Sequence, residues 1–156
     1  MANEQFYFFF LMFLAGVGIP VMAAMNASLG RELQSPMVAV LILCCVALAI
    51  ASLFVMFSAR PTLESFKQIS PIYYFGGVLF MLYIASITYT APIIGIGNAV
   101  FFVLLGQLIT AVLIDHYGLL NAPVSAVTYK RIFGIMLMIV GVYLAKKDVI
   151  PPNLIQ

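Results

Sequence analysis

The segment IFGIMLMIVGVYLA, residues 132–145, carries no charged side chain and decides how this chain is built. Its fourteen residues rise only about 21 Å as an α-helix. That is short of the ~30 Å hydrocarbon core of a bilayer. The flanks change the reading. Val127, Thr128 and Tyr129 extend the segment backwards. Lys130, Arg131, Lys146 and Lys147 stand where long cationic side chains reach an interface from either end. Tyr143 occupies the position of an interfacial aromatic. The segment therefore reads as a membrane span over 127–145.

Upstream, three longer runs carry no charge: 5–30, 33–59 and 68–114. The first two each accommodate one helix, at about 6–25 and 37–58. The third is long enough for two helices, at about 72–89 and 98–114, with Pro92, Gly95 and Gly97 supplying the turn between them. The stretch 115–128, with Gly118, Asn121 and Pro123, reads as a loop. Hydrophobic residues make up 65% of the chain and charged ones 8%. A soluble domain averages about 25% charged, so this chain has too little polar surface to cover itself in water. The expectation is an all-α membrane protein with five transmembrane helices, one integral membrane domain over 1–156.

Several classes are disfavoured. A net charge of +2 without a basic cluster does not suit nucleic-acid binding. Glu4 and a full-length first run do not fit a cleaved signal peptide. Cys44 and Cys45 are adjacent, which makes them poor disulfide partners, and no nearby histidine completes a metal site. They read as small apolar packers. No metal and no cofactor is expected.

The status of 132–145 also sets orientation, which follows Lys and Arg in the loops. With four spans, one side holds Arg60, Lys67, Lys130, Arg131, Lys146 and Lys147, and the other holds Arg31 alone. With five, Arg60, Lys67, Lys130 and Arg131 oppose Arg31, Lys146 and Lys147. Four against three is almost no bias. Two copies inserted in opposite directions would form an inverted repeat, a plan that many transporters build within one chain. The alternative is that another factor, such as folding of the first helix, fixes one orientation.

No Asp, Glu, Lys or Arg stands at the middle of any expected helix, which argues against a carboxylate proton relay at the midplane. Asp115 and His116 close the fourth helix at the interface, where a cap or loop anchor competes with a coupling site. The embedded polar groups are Asn26, Asn98, Gln107, Thr110, Ser52, Ser86 and Thr88. An amide in hydrocarbon needs a partner on another helix or a ligand. Gln107 shares a helix face with Ala111 and Asp115 and is the first pocket candidate. Inter-helix bonding is its competing role. Asn98 and Asn26 are further candidate polar contacts, although capping suits Asn26 at the end of the first helix. Gly16, Gly18 and Pro20 make a kink in that helix, the kind of break that shapes a transporter cavity or serves plain packing.

These residues resemble the YdcZ-like five-helix family of the drug/metabolite transporter superfamily. The likeness runs through AGVGIPVMAAMNASLGRELQSP (15–36), Gly76 and Gly77, then Pro92 and Gly95. Its strongest stretch is GQLITAVLIDHYGLL (106–120), and Arg131, Gly134 and Gly141 close it. The resemblance implies a multi-pass bacterial inner-membrane transporter of unknown small-molecule substrate, working as a homodimer or with a paired relative of opposite orientation. The related small multidrug resistance proteins use a glutamate within the first helix. None stands there in this chain, so their proton-coupled exchange does not carry over. Two other classes stay in view: a non-transporting structural or assembly subunit, and an intramembrane enzyme. For the last, no serine or cysteine stands at a spacing that makes a nucleophile–base pair evident.

Overall fold

The structure, a computed structural model, describes residues 2–58 and 62–146. Arg60 and Lys147, counted above among the flanking cations, lie outside the described residues. Every regular element among the described residues is helical. The long helices are α1 (Ala2–Glu32), α2 (Pro36–Met56), α4 (Gly76–Ile94), α5 (Ile96–Tyr117) and α6 (Tyr129–Ala145). A short α3 (Leu63–Lys67) and two 3-10 turns, Pro71–Phe75 and Leu119–Asn121, connect them. The segments Gln5–Glu32, Pro36–Met56, Pro71–Ile94 and Ile96–Tyr117 are long and apolar enough to cross a membrane. Helix α6 has 17 residues, about 25 Å at 1.5 Å per residue. The chain divides into two units, Met1–Pro92 and Ile93–Gln156, each described here by itself.

In the first unit α1 continues well past residue 25, the expected end, through Pro20 and on to Glu32. Two causes extend it. Ala23, Ala24, Met25, Ala27 and Leu29 are good helix formers. The buried residues Ala23, Asn26, Ala27 and Gly30 also recur at i, i+3, i+4 and i+7, so one face keeps packing to the end. The helix stops in a Schellman motif. Ser35 N–H donates to the Gly30 carbonyl at 2.9 Å, and Gln34 N–H donates to the Arg31 carbonyl at 3.0 Å. Gln34 takes the left-handed position that this motif requires, at φ 51°.

Helix α2 starts at once. Ser35 Oγ accepts from Val38 N–H at 3.4 Å, and Pro36 occupies the first helical position, where its missing N–H costs nothing. A Cβ at Gly30 would stand 3.2 Å from Pro36 Cα. Glycine is thus what lets the start of α2 come so near α1.

Helix α4 is entered through the 3-10 turn Pro71–Phe75 and runs beyond residue 89, carrying Pro92 inside it. Of the residues expected to supply the turn, Gly95 makes the break, whereas Pro92 stays inside α4. Proline near a helix end removes a single bond. Gly95 adopts φ 88° and ψ 145°, a conformation that an L side chain resists. Helix α5 therefore begins at Ile96 and extends to Tyr117, bracketing the expected 98–114.

In the second unit α5 ends on Gly118 at φ 59°, whose N–H donates to the Ile114 carbonyl. Leu120 and Asn121 follow with positive φ. Helix α6 starts at Tyr129, with Thr128 as its cap: Thr128 Oγ1 accepts from Arg131 N–H at 3.3 Å.

Candidate functional site

In the first unit, Asn26 Nδ2 donates to Thr88 Oγ1 at 2.6 Å. Both residues are buried. Asn26 is therefore an interior residue of α1 that bonds across to α4, and the capping role expected at a helix end is corrected. The buried residues of α4, Ile84, Ile87, Thr88 and Ala91, repeat at the same i, i+3, i+4, i+7 spacing as those of α1. The bond sits between two narrow stripes of mostly small and β-branched side chains. The Tyr83 hydroxyl, also on α4, is shielded and has no hydrogen-bond partner among the described residues. Tyr83 was not singled out from sequence, where a lone tyrosine in an apolar run looks like an ordinary packer.

Gly16 and Gly18 are exposed, and a Cβ built at either meets nothing within 4 Å. Pro20 is half-buried. Phe6, Tyr7, Phe8, Phe9 and Phe10 of α1 are all exposed, as suits side chains facing lipid or the interface.

In the second unit, Asn98 is buried in the first turn of α5, and its Nδ2 donates to the Ile94 carbonyl at 2.9 Å. It reaches back across the Gly95 break to the last carbonyl of α4, one of the acceptors that a helix end leaves over. Gln107 lies at the middle of α5 and is exposed. Nine positions separate it from Asn98, so at 100° per residue the two amides project from opposite faces of the helix. They do not share a pocket within α5.

Asp115 and His116 hold the connection to α6. Arg131 Nη2 donates to Asp115 Oδ2 at 2.6 Å, with both side chains about one-third exposed. The Asp115 carbonyl accepts from Ser125 N–H at 2.8 Å. His116 Nδ1 accepts from Val127 N–H at 3.3 Å, which requires the ring proton on Nε2. These bonds fasten the middle and the C-terminal end of the 122–128 loop, and the first turn of α6, to the last turn of α5. The arrangement suits anchoring, because the carboxylate already holds a cation. Sequence spacing marked Asp115 as interfacial but counted Arg131 only as a flanking charge.

A groove of about 430 Å³ runs between α5 and α6. Phe101 and Leu104 wall it on one side, Leu137 and Met138 on the other, and Gly141 and Ala145 lie along it. None of its lining residues is polar. Among the described residues no group of three His, Cys, Asp or Glu side chains is placed to hold a metal ion. Cys44 and Cys45 are free thiols.

The family model described as "Putative inner membrane exporter, YdcZ" matches residues 7–144. The chain belongs to this family. The matched region takes in Asn26, Asn98, Gln107, Asp115 and His116, and it reaches from the first turns of α1 into the last turn of α6. Membership places the chain in the inner membrane, within a class of transport proteins and not of enzymes. No curated protein and no solved structure gives a significant match.

Proposed function

We propose that the chain exports a small molecule across the inner membrane as an antiparallel pair of copies, with Gln107 at the site they share. One observation carries the reading beyond the family. Gln107 is an amide at the middle of an apolar helix, exposed and without a hydrogen bond among the described residues of its own chain. In hydrocarbon that amide requires a partner from outside, either a substrate or a second subunit. Gly106 and Ala111 beside it are small, and Thr110 adds a hydroxyl one turn on, so another surface can approach closely.

The antiparallel arrangement rests on α6 as a fifth span. Tyr129, Lys130 and Arg131 stand at one end of it and Tyr143 and Lys146 at the other, both sets suited to a membrane interface. Five crossings leave the flanking cations at four against three, and near balance permits both orientations.

The test is flux from proteoliposomes against a panel of small amphipathic and polar metabolites, with Gln107→Leu in parallel and reporter tags at Gln156. Export by the wild type, its loss in Gln107→Leu, and tags reporting from both sides are expected. Tags that report from one side only remove the antiparallel homodimer. Unchanged flux in Gln107→Leu removes the site.

A further inference from the structure

We infer that His116 is an acid-sensitive latch: protonation of its ring releases the C-terminal end of the 122–128 loop from α5. The geometry carries this. Val127 N–H donates to His116 Nδ1 at 3.3 Å. A backbone N–H only donates, so Nδ1 must present its lone pair, and the single ring proton sits on Nε2. A second proton goes to Nδ1 and turns that acceptor into a donor. Two donors then face each other and the bond is lost. A bond that only the neutral ring can make is therefore present at high pH and given up as pH falls. Imidazole is the side chain that ordinarily makes this change of charge between pH 5 and 8. His116 is the one histidine in the chain. It is exposed, so protons reach it from solvent.

The other fastenings of this connection lack that sensitivity. Ser125 N–H donates to the Asp115 carbonyl at 2.8 Å, and neither backbone group titrates. Arg131 pairs with the Asp115 carboxylate at 2.6 Å, and neither residue type ordinarily changes charge between pH 5 and 8. Acid thus opens one of three fastenings and leaves two. The titratable and charged groups around His116 are few. On α5 they are Asp115 and Tyr117, whose ring stands edge-on with centroids 4.8 Å apart. In the first turn of α6 they are Tyr129, Lys130 and Arg131. The turn Leu119–Asn121 and the 122–128 loop bring none. Asp115 and Arg131 form a pair of no net charge. Helix α5 is long and apolar enough to cross a membrane, and the latch stands at its C-terminal end. With α5 across the membrane, the latch answers to the pH on one face alone. It requires neither transport nor a pairing of copies, so it stands or falls apart from the function proposed above.

The test is amide-resolved hydrogen exchange by NMR on the full chain in lipid nanodiscs, at pH 8 and at pH 5. Each rate is divided by the intrinsic rate at that pH. Protection of the Val127 amide should fall about 3- to 10-fold between pH 8 and pH 5, the worth of one hydrogen bond. The middle of α5 should keep its protection at both. Asparagine places a carbonyl oxygen as many bonds from the backbone as Nδ1 and does not titrate. His116→Asn should therefore hold Val127 equally at the two pH values. His116→Phe has no acceptor and should show the low wild-type protection of pH 5 at both. The nitrogen spectrum of the wild-type ring at pH 8 should place its proton on Nε2. Equal wild-type protection at pH 8 and pH 5 overturns the latch. So does a fall of the same size in His116→Phe, which would put the titrating group elsewhere. A ring proton on Nδ1 at pH 8 overturns the bond itself.

Discussion

Asn26 and Thr88 are separated by 62 positions in sequence, yet the amide nitrogen of one lies 2.6 Å from the hydroxyl oxygen of the other, inside the apolar packing of α1 and α4. In water such a bond exchanges for others. In a bilayer its loss leaves an amide without a partner.

Thr88→Val should therefore destabilise the first unit by about 1 kcal/mol, within the ~0.6–1.7 kcal/mol found for interhelical hydrogen bonds in membranes. Asn26→Leu combined with Thr88→Val should cost less than the two single changes added together, because neither polar group is then left alone. Reversible unfolding in mixed micelles reads the difference. Simple additivity would mean that the bond contributes nothing.

The Arg131–Asp115 pair is about one-third exposed on both sides, so solvent screens it. Arg131→Gln should cost no more than about 1 kcal/mol. The more telling readout is local. With the cation gone, amide hydrogen exchange in the 122–128 loop should quicken, while the middle of α5 stays protected. Unchanged exchange in the loop would show that Ser125 and His116 hold it alone.

Gln34 and Gly118 share the same backbone conformation, left-handed after a helix end, with φ 51° and 59°. An L side chain in that region carries about 1–2 kcal/mol of steric cost, and glycine carries little. Gln34→Gly should raise stability by about 1 kcal/mol. Gly118→Ala should lower it by more than the conformational cost, because the new Cβ would stand 2.7 Å from Val124 Cγ2. Thermal unfolding of the two variants should shift in opposite directions.

Gln107→Leu should leave the helicity and thermal stability of the monomer unchanged or improved, since an unpartnered amide is replaced by a better match to lipid. Association between copies and flux should both fall. A drop in monomer stability without any change in association would place the amide's partner within its own chain.

Charge-free runs and their lengths sufficed to locate the apolar helices, because membrane thickness constrains them directly. Helix ends were less legible. The sequence suggests an end of α1 near residue 25, where capping suits Asn26, but a buried threonine 62 positions away accepts its hydrogen bond. Pro92, Gly95 and Gly97 together mark the turn before α5 in the sequence, but only Gly95, which adopts a positive φ, breaks the helix. Spacing placed Asp115 at the end of the helix before the 115–128 stretch and could not name Arg131 as its partner, since that contact depends on how the 122–128 loop folds. The candidate amides were all visible as polar interruptions. Which of them were already bonded, and on which face each stood, depended on three-dimensional packing.

Gly95 has a consequence out of proportion to its size. An unbroken helix from 76 to 117 would be about 63 Å long, roughly twice the hydrocarbon thickness. One backbone angle divides that length into two helices, each long and apolar enough to cross a membrane. With α6 as a span the total is odd, and an odd total leaves the ends of the chain on opposite faces. Losing the break would change parity and send every later residue to the other compartment. A Cβ at Gly95 would touch nothing, so its role lies in the count of crossings and not in any contact.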